Sequence, residues 1–485
     1  MSDRKICLLL ACFCFLLYCR TLSFGLSYLD DYYLLIEAKP FLSDIRNFFA
    51  LFFTDVFITS PVGFYRPVLN ISFMADTLLN GGGWFFTHLM NIVYYAGAVC
   101  LLFALLRKME VKALLACALS LLFAVHPAAC AAVSWVPGRN DSLLALFVIS
   151  SFIFFEDYRS TGGLKPLFKC SLLFAAAMFT KESAIVLPVL FFLWLLIKGF
   201  KNSKADLNFV IFFSALPLIA WAGIRALSST GATSVSAAAT FKNILYLPLI
   251  LGRNIFPFDP VLFSPYELLG SKAVYFMAAA VYLAFIIRTL AAAHRNKNME
   301  PCGRTLFGIA WFLLFILPTF AAGAGIVSGT LFFEHRSFVP LIGIIITLSD
   351  FNVPAERLAF ARTAAAVFAV FLACVSFCGS SYYENRNIFW QEAVKDSPED
   401  FSNFVRAGIF EEQRQLYGMA EYYYRKALEL NPEQPLLHAS LAGIARRKGD
   451  LKKAEKEMLA ELKANPGYEP GIRWLEMLRG ELKEK

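Results

Sequence analysis

Charge is scarce in this 485-residue chain: Asp, Glu, Lys and Arg make up 17% of it, and only five histidines are present. Soluble domains are about a quarter charged, so an ordinary soluble enzyme is excluded, and so are a disordered chain and a coiled coil. The eleven cysteines (7, 12, 14, 19, 100, 117, 130, 170, 302, 374 and 378) lie almost all in apolar runs, and none follows Cys378. No C-x-x-C pair or His/Cys cluster has zinc-site spacing, which leaves small apolar helix residues rather than a disulfide framework or a metal site. Nucleophile elbows and dinucleotide fingerprints are missing too. Gly81-Gly82-Gly83 lacks a following Lys-Ser/Thr and a preceding strand, so it reads as a linker.

What the chain has is apolar bulk: 58% hydrophobic residues, fifty phenylalanines and a mean hydropathy of +0.57. The distribution is uneven. After Ser380 there are 17 Lys+Arg and 18 Asp+Glu in 105 residues, whereas the first 380 hold only 28 and 19. A membrane body of net +9 therefore precedes a soluble tail of net −1. The overall +8 is no nucleic-acid footprint; it sits in short loops between apolar runs, which makes it a topology signal.

A membrane-spanning helix takes about 20 apolar residues. Candidate spans are 5–26, 86–106, 113–126, 141–156, 166–180, 184–198, 208–226, 272–290, 304–322, 338–349 and 358–380. The first continues past Arg20 with no A-x-A site, so it reads as a retained helix rather than a secretory signal. Arg4/Lys5, Arg107-Lys108-Lys112, Lys198-Lys201-Lys204 and Arg288-Arg295-Lys297-Arg304 fall on one side under an eleven-span count, and the positive-inside rule makes that side cytoplasmic. The apolar stretch 240–258, broken by Pro248, Arg253 and Pro257, reads as re-entrant or interfacial. Outer loops are then 27–85, 127–140, 181–183, 227–271, 323–337 and everything after 380. The first is the most structured and predicts short interfacial helices.

The tail repeats itself. Pro398, Pro432 and Pro466 lie 34 apart, and Ala407-Gly408 aligns with Leu441-Ala442, Ala420 with Ala454, Tyr424 with Met458. A 34-residue helix-turn-helix period is the tetratricopeptide signature. Domain 1–380 is thus followed by a linker, 381–398, and by two repeats plus a closing helix, 399–485. Docking of a partner on the repeats and a plain structural cap both remain open.

Charged groups at a membrane boundary point to function by default, and the conspicuous ones cluster on the outer side. Asp30-Asp31 follow the first span: one could deprotonate a hydroxyl or hold a divalent ion, or simply cap a helix. Arg66 can grip phosphate or reach headgroups. His126-Pro127 and Gly138-Arg139-Asn140-Asp141 fit a helix break, turn and cap as well as a site. Lys181-Glu182 tips a tight hairpin and suits a lipid phosphate. Glu334-His335-Arg336 sets acid, imidazole and guanidinium in succession at a membrane mouth.

The stretches YLDDYYLLIEAKPFLSD, YRPVLNISFMADTLLNGGGWFFTHLMN, FAVHPAACAAVSWVPGRNDSLL, MFTKESAIVLP and FFEHRSFVPLIG, then ENRNIFWQEAVKDSPEDFSNFVRAG leading into the repeats, resemble in this order the transmembrane and tetratricopeptide-repeat O-mannosyltransferase family of the C-type glycosyltransferase superfamily. The resemblance implies an all-α polytopic bundle of about eleven transmembrane helices with a C-terminal tetratricopeptide solenoid. It also implies an inverting transferase that takes sugar from a polyprenyl-phosphate donor and passes it to a protein or glycan acceptor on the periplasmic or lumenal face. Asp30 matches the family's catalytic acidic position, with Asp31 beside it. Arg66, His126, Arg139, Asp141, Lys181, Glu182, Glu334, His335 and Arg336 match further motif positions of the family and are the candidates for substrate binding. One departure stands out: Ala131 occupies the place of the glutamate that usually precedes Ala-Val after His-Pro, so metal dependence is not carried over. The implied partners are lipid, the lipid-linked donor and an acceptor docked on the repeats, with no nucleic acid; the setting is a bacterial inner membrane or the endoplasmic reticulum. A lipid-linked-sugar flippase or a non-catalytic scaffold is the alternative.

Overall fold

A computed structural model describes residues 2–61, 63–81, 83–199, 211, 213–228, 235–265, 272–295, 302–323, 331–351 and 355–483. Gly82 of the expected linker and Lys201, Lys204 and Lys297 of the expected basic loops lie outside them. The described chain is predominantly helical. It divides into two units, Met1–Asn385 and Arg386–Lys485.

The first unit contains α1 (Asp3–Tyr18), α2 (Pro67–Asn80), α3 (Trp84–Lys108), α4 (Ala113–Ala124), α5 (Ala129–Ser134), α6 (Arg139–Thr161), α7 (Leu164–Thr180) and α8 (Leu187–Lys198). It continues with α9 (Ser214–Ala226), α10 (Ala237–Ile244), α11 (Leu247–Ile255), α12 (Lys272–Arg295), α13 (Gly303–Ile316), α14 (Phe338–Leu348) and α15 (Leu358–Ser380). Each of the eleven apolar runs contains a helix. Among the described residues, five stretches are long and apolar enough to cross a membrane, Asp3–Ser23, Trp84–Lys108, Ala273–Ala291, Gly303–Phe320 and Leu358–Tyr383, and the chain is a membrane protein. The face of α15 carrying Phe360, Val367 and Val370 is exposed; in water such a surface would be costly, whereas in hydrocarbon it is matched. Two short antiparallel ribbons, Val235–Ser236 with Ala322–Gly323 and Phe263–Pro265 with Leu331–Phe333, add to the expected all-helical architecture.

Two stretches between the long helices are built from short helical segments. The 240–258 segment forms two short helices, α10 and α11, and α11 is buried over Leu249–Asn254. Gly252 makes that possible, since a Cβ there would lie 1.7 Å from the Tyr275 carbonyl oxygen of α12. In the first outer loop, short π and 3-10 turns over 32–53 lead into the buried fourteen-residue α2. Pro67 starts α2 at a position where its missing N–H costs nothing, and Gly81, at φ +62°, ends it.

Polar contacts mark the two ends of α6. At its start, Lys181 pairs with Asp141. Near its end, Asp157 pairs with Lys108 at the close of α3. Arg304 ties in the loops beside that second end, through Asp350 (2.7 Å) and the Met109 carbonyl (2.9 Å).

The second unit stacks α16 (Arg386–Asp396), α17 (Phe401–Gln413), α18 (Tyr417–Leu430), α19 (Leu437–Arg447), α20 (Leu451–Ala464) and α21 (Glu469–Lys483). Ala407, Gly408, Ala420 and Tyr424 are buried, as are their 34-residue counterparts Leu441, Ala442, Ala454 and Met458. Glu461 accepts from the N–H groups of Leu436 (2.8 Å) and Ala439 (3.3 Å), placing a carboxylate at the positive end of α19.

Candidate active site

Asp30 and Asp31 are adjacent in sequence and opposite in use. Asp31 is buried, and its carboxylate accepts from the Ser27 N–H (2.6 Å) and the Ser27 hydroxyl (3.0 and 3.1 Å), folding the loop back on itself. Burial lifts its pKa to about 6 against the pull of the Ser27 hydrogen bonds. This carboxylate is a structural latch, so the role beside Asp30 that resemblance assigned it does not fit where it sits. Asp30 is half-buried, and its charge reaches Arg66.

Arg66 immediately precedes α2. Its Nη2 meets Glu182 Oε1 at 3.2 Å, its guanidinium lies 4.7 Å from the Phe64 ring, and its Nη1 donates to the Asn140 side-chain oxygen at 3.1 Å when the Asn140 amide donates to the Thr180 carbonyl. Burial lowers the Arg66 pKa, but the charges of Glu182, Asp141 and Asp30 outweigh it, so it rises. Glu182 shows the converse: burial raises it, Arg66 and Lys181 pull harder, and the net shift is downward. Lys181, at the end of α7, puts Nζ 2.6 Å from Asp141 Oδ1. Arg336 donates to the Thr319 carbonyl (3.2 Å) and lies 4.6 Å from the Phe333 ring. His335 stands between the Trp135 and Phe333 rings, 5.5 Å from each. Burial, then Lys181, Arg336 and Arg66, drive its pKa well below the ordinary value, so the imidazole is neutral.

Arg66 with Glu182 and Lys181 with Asp141 are therefore paired through adjacent residues of one loop, the charge of Asp30 bears on Arg66, and those of Lys181, Arg336 and Arg66 bear on His335. Besides Asp31, three further site residues named from the sequence are engaged by other partners. His126 is buried, its Nδ1 accepting from the Ala128 N–H (3.1 Å) while Nε2 faces the Asn254 carbonyl (3.0 Å); both ring nitrogens are occupied. Glu334 is buried against Arg253 at 2.8 Å. Arg139 is fully buried, with Asp76 at 2.7 Å, Asn91 at 2.7 Å and the Thr87 carbonyl at 2.8 Å. It pins α2 and α3 to α6 and has no face for a substrate. Asp141 likewise does not cap α6 but sits in its first turn and pairs with Lys181.

Sequence reasoning missed Asn140, which joins Arg66 to the end of α7. It also missed Arg253, which takes Glu334 on one side and Asp259 (2.9 Å) and Tyr275 (3.0 Å) on the other. The signal for Arg253 was available: an arginine inside an apolar run needs a buried carboxylate partner. Gly138 shapes the loop before Arg139, because a Cβ there would lie 1.9 Å from the Ala131 carbonyl oxygen. Ala131 itself is buried.

A divalent ion does not fit these residues. No group of three or more His, Cys, Asp or Glu among the described residues is arranged to hold one. Asp31, Asp141, Glu182 and Glu334 are each engaged by a backbone N–H or a cation.

With this geometry established, known proteins can be compared. No family model matches the chain. Protein O-mannosyl-transferase Tmtc2 of Drosophila melanogaster is 28% identical over 285 residues, covering 52% of this chain and 30% of that protein. Tmtc1 of the same organism is 28% identical over 176 residues, 35% of this chain and 20% of that protein. TMTC1 of Homo sapiens is 32% identical over 132 residues, 25% and 15%. The chain is similar to the protein O-mannosyl-transferases. It spans less than a third of the length of these O-mannosyl-transferase relatives. Among solved structures, the Archaeoglobus fulgidus oligosaccharyltransferase complex with Zn and sulfate aligns over 80% of this chain and 54% of that one, at a TM-score of 0.43 and 13% identity.

Proposed function

We propose that the chain is an integral-membrane glycosyltransferase that moves a sugar from a polyprenyl-phosphate carrier to an acceptor hydroxyl on the exoplasmic side. The observation that supports this reading is the pair of ion pairs, Arg66 with Glu182 (3.2 Å) and Lys181 with Asp141 (2.6 Å), formed by adjacent residues of one loop, with the charge of Asp30 bearing on Arg66. The similarity to O-mannosyl-transferases supports it.

In this reaction a prenyl phosphate leaves readily, so no strong general acid is required. Asp30 takes the proton of the acceptor hydroxyl as its oxygen attacks the anomeric carbon. The bond from that carbon to the phosphate oxygen breaks, its electron pair goes to the phosphate, and one displacement inverts the centre. Base assistance of this kind is worth about 10²–10⁴-fold. Lys181 keeps further N–H donors beyond the one on Asp141, and with Arg336 it stabilises the charge developing on the phosphate. The second unit is read as tetratricopeptide repeats that recruit a protein acceptor, and the distribution of basic loops supports an outward-facing site.

The test is transfer by the purified full-length protein from a synthetic prenyl-phosphate sugar. Asp30→Asn is expected to abolish it while the protein stays folded, and an undiminished rate would refute the base assignment. Covalently glycosylated product separates this reading from a flippase and from a scaffold.

A further inference from the structure

Three polar atoms around the network are buried and carry hydrogen-bonding capacity that the described protein does not use. The Trp135 indole N–H is buried without a partner, on a residue only 8% exposed. Arg66 Nε and Glu182 Oε2 are likewise buried and unpartnered, although the rest of each side chain is engaged. His335 lies beside Trp135, with ring centroids 5.5 Å apart and planes tilted by 45°, and adds its imidazole to the set as a fourth group. Leaving such groups dry costs about 1–3 kcal/mol each, and natural interiors rarely tolerate several together. A ligand that supplies their partners is the economical explanation.

The chemistry of the set narrows that ligand. Trp135 and Arg66 only donate, Glu182 Oε2 only accepts, and a neutral imidazole does one of each. A phosphate, which only accepts, would leave Glu182 facing a like charge. A hydroxyl donates and accepts at once, and a ring of hydroxyls serves all four groups. Resting on the transferase reading above, we propose that Trp135, His335, Arg66 Nε and Glu182 Oε2 form the subsite for the transferred hexose, apart from the Lys181 and Arg336 cations that hold its phosphate. Trp135 and Glu182 are the specificity residues of that subsite.

The experiment is equilibrium binding of two probes to the purified full-length protein in detergent: a synthetic prenyl-phosphate mannose and the same prenyl phosphate without sugar. Wild type should bind the sugar-bearing probe more tightly. Trp135→Phe, which keeps a ring beside His335 and removes the N–H, should weaken the sugar-bearing probe by roughly two- to tenfold, the worth of one neutral hydrogen bond. Its affinity for the bare phosphate should not change. Glu182→Gln, which keeps an oxygen toward Arg66, should behave the same way, whereas Lys181→Ala should weaken both probes. Equal affinity of wild type for the two probes, or parallel loss of both in Trp135→Phe, overturns the subsite. Failure of the bare prenyl phosphate to bind wild type overturns the transferase reading, and the subsite with it.

Discussion

The two units handle charge in opposite ways. In the membrane unit cations are set against enclosed carboxylates: Arg139 with Asp76, Arg253 with Glu334, Lys181 with Asp141. In the tail, charges cluster at the surface and share partners, as Glu421 does with Lys453, Arg425 and Lys448. The difference is one of solvent. Where water cannot help, a lone charge is intolerable, so every ion pair is specific and removing one partner strands the other. Where water can help, a lost partner is replaced by hydration or by a neighbour.

The comparison can be broken at its most demanding point, which is chemistry. Asp30→Asn should cost about 10²–10⁴-fold in transfer with little change in melting temperature, measured side by side in the lipid-donor assay and by thermal unfolding. A loss of stability as large as the loss of rate would make Asp30 structural. Next is Arg139→Ala, which leaves Asp76 buried and unpaired and should cost about 3–5 kcal/mol. The double variant Arg139→Met/Asp76→Leu should recover part of that loss, as judged by detergent-solubilised yield and melting temperature. The double variant Lys181→Ala/Asp141→Asn, which removes the cation without stranding a buried carboxylate, should raise the KM for the lipid donor by roughly tenfold, the loss of one charge-assisted hydrogen bond, and leave the fold in place.

The smallest effect belongs to the tail. Three cations, against some burial, pull the Glu421 pKa from 4.5 down to about 2, with Lys453 the strongest contributor. A depressed carboxylate contributes stability above its unfolded pKa and loses it as pH falls through the folded one. Glu421→Gln should therefore weaken hydrogen-exchange protection of α18 and α20 by about 1 kcal/mol at pH 7. The gap from wild type should close between pH 4.5 and about 2. A pH-independent gap would assign the effect to packing.

Much of the helical layout was readable, because apolar runs and a 34-residue period are statements about burial, and burial writes itself into composition. The meeting of Arg66 with Glu182 and of Lys181 with Asp141 was only hinted at, since sequence order says nothing of which loops meet. Asp31, His126, Arg139 and Glu334 looked like their neighbours in the site. What sets them apart is enclosure by protein partners: Ser27 around Asp31, Ala128 and Asn254 around His126, Asp76, Asn91 and Thr87 around Arg139, and Arg253 against Glu334. No local pattern reveals such pairings. Arg253 was the exception, a cation in an apolar run whose need for an acid could have been inferred before its identity was known.

That arginine also has a consequence for biogenesis. Its carboxylate partner Glu334 lies 81 residues further along the chain. Helix α11, nine residues long, meets one acid, Asp259, six residues on, but its second and buried partner has not yet been made when it leaves the ribosome. The set of contacts on Arg253 closes only once α12, α13 and the strand before Glu334 have emerged. Completion of this buried ion cluster is thus late, and a chain truncated before residue 334 would hold Arg253 with Asp259 and Tyr275 alone.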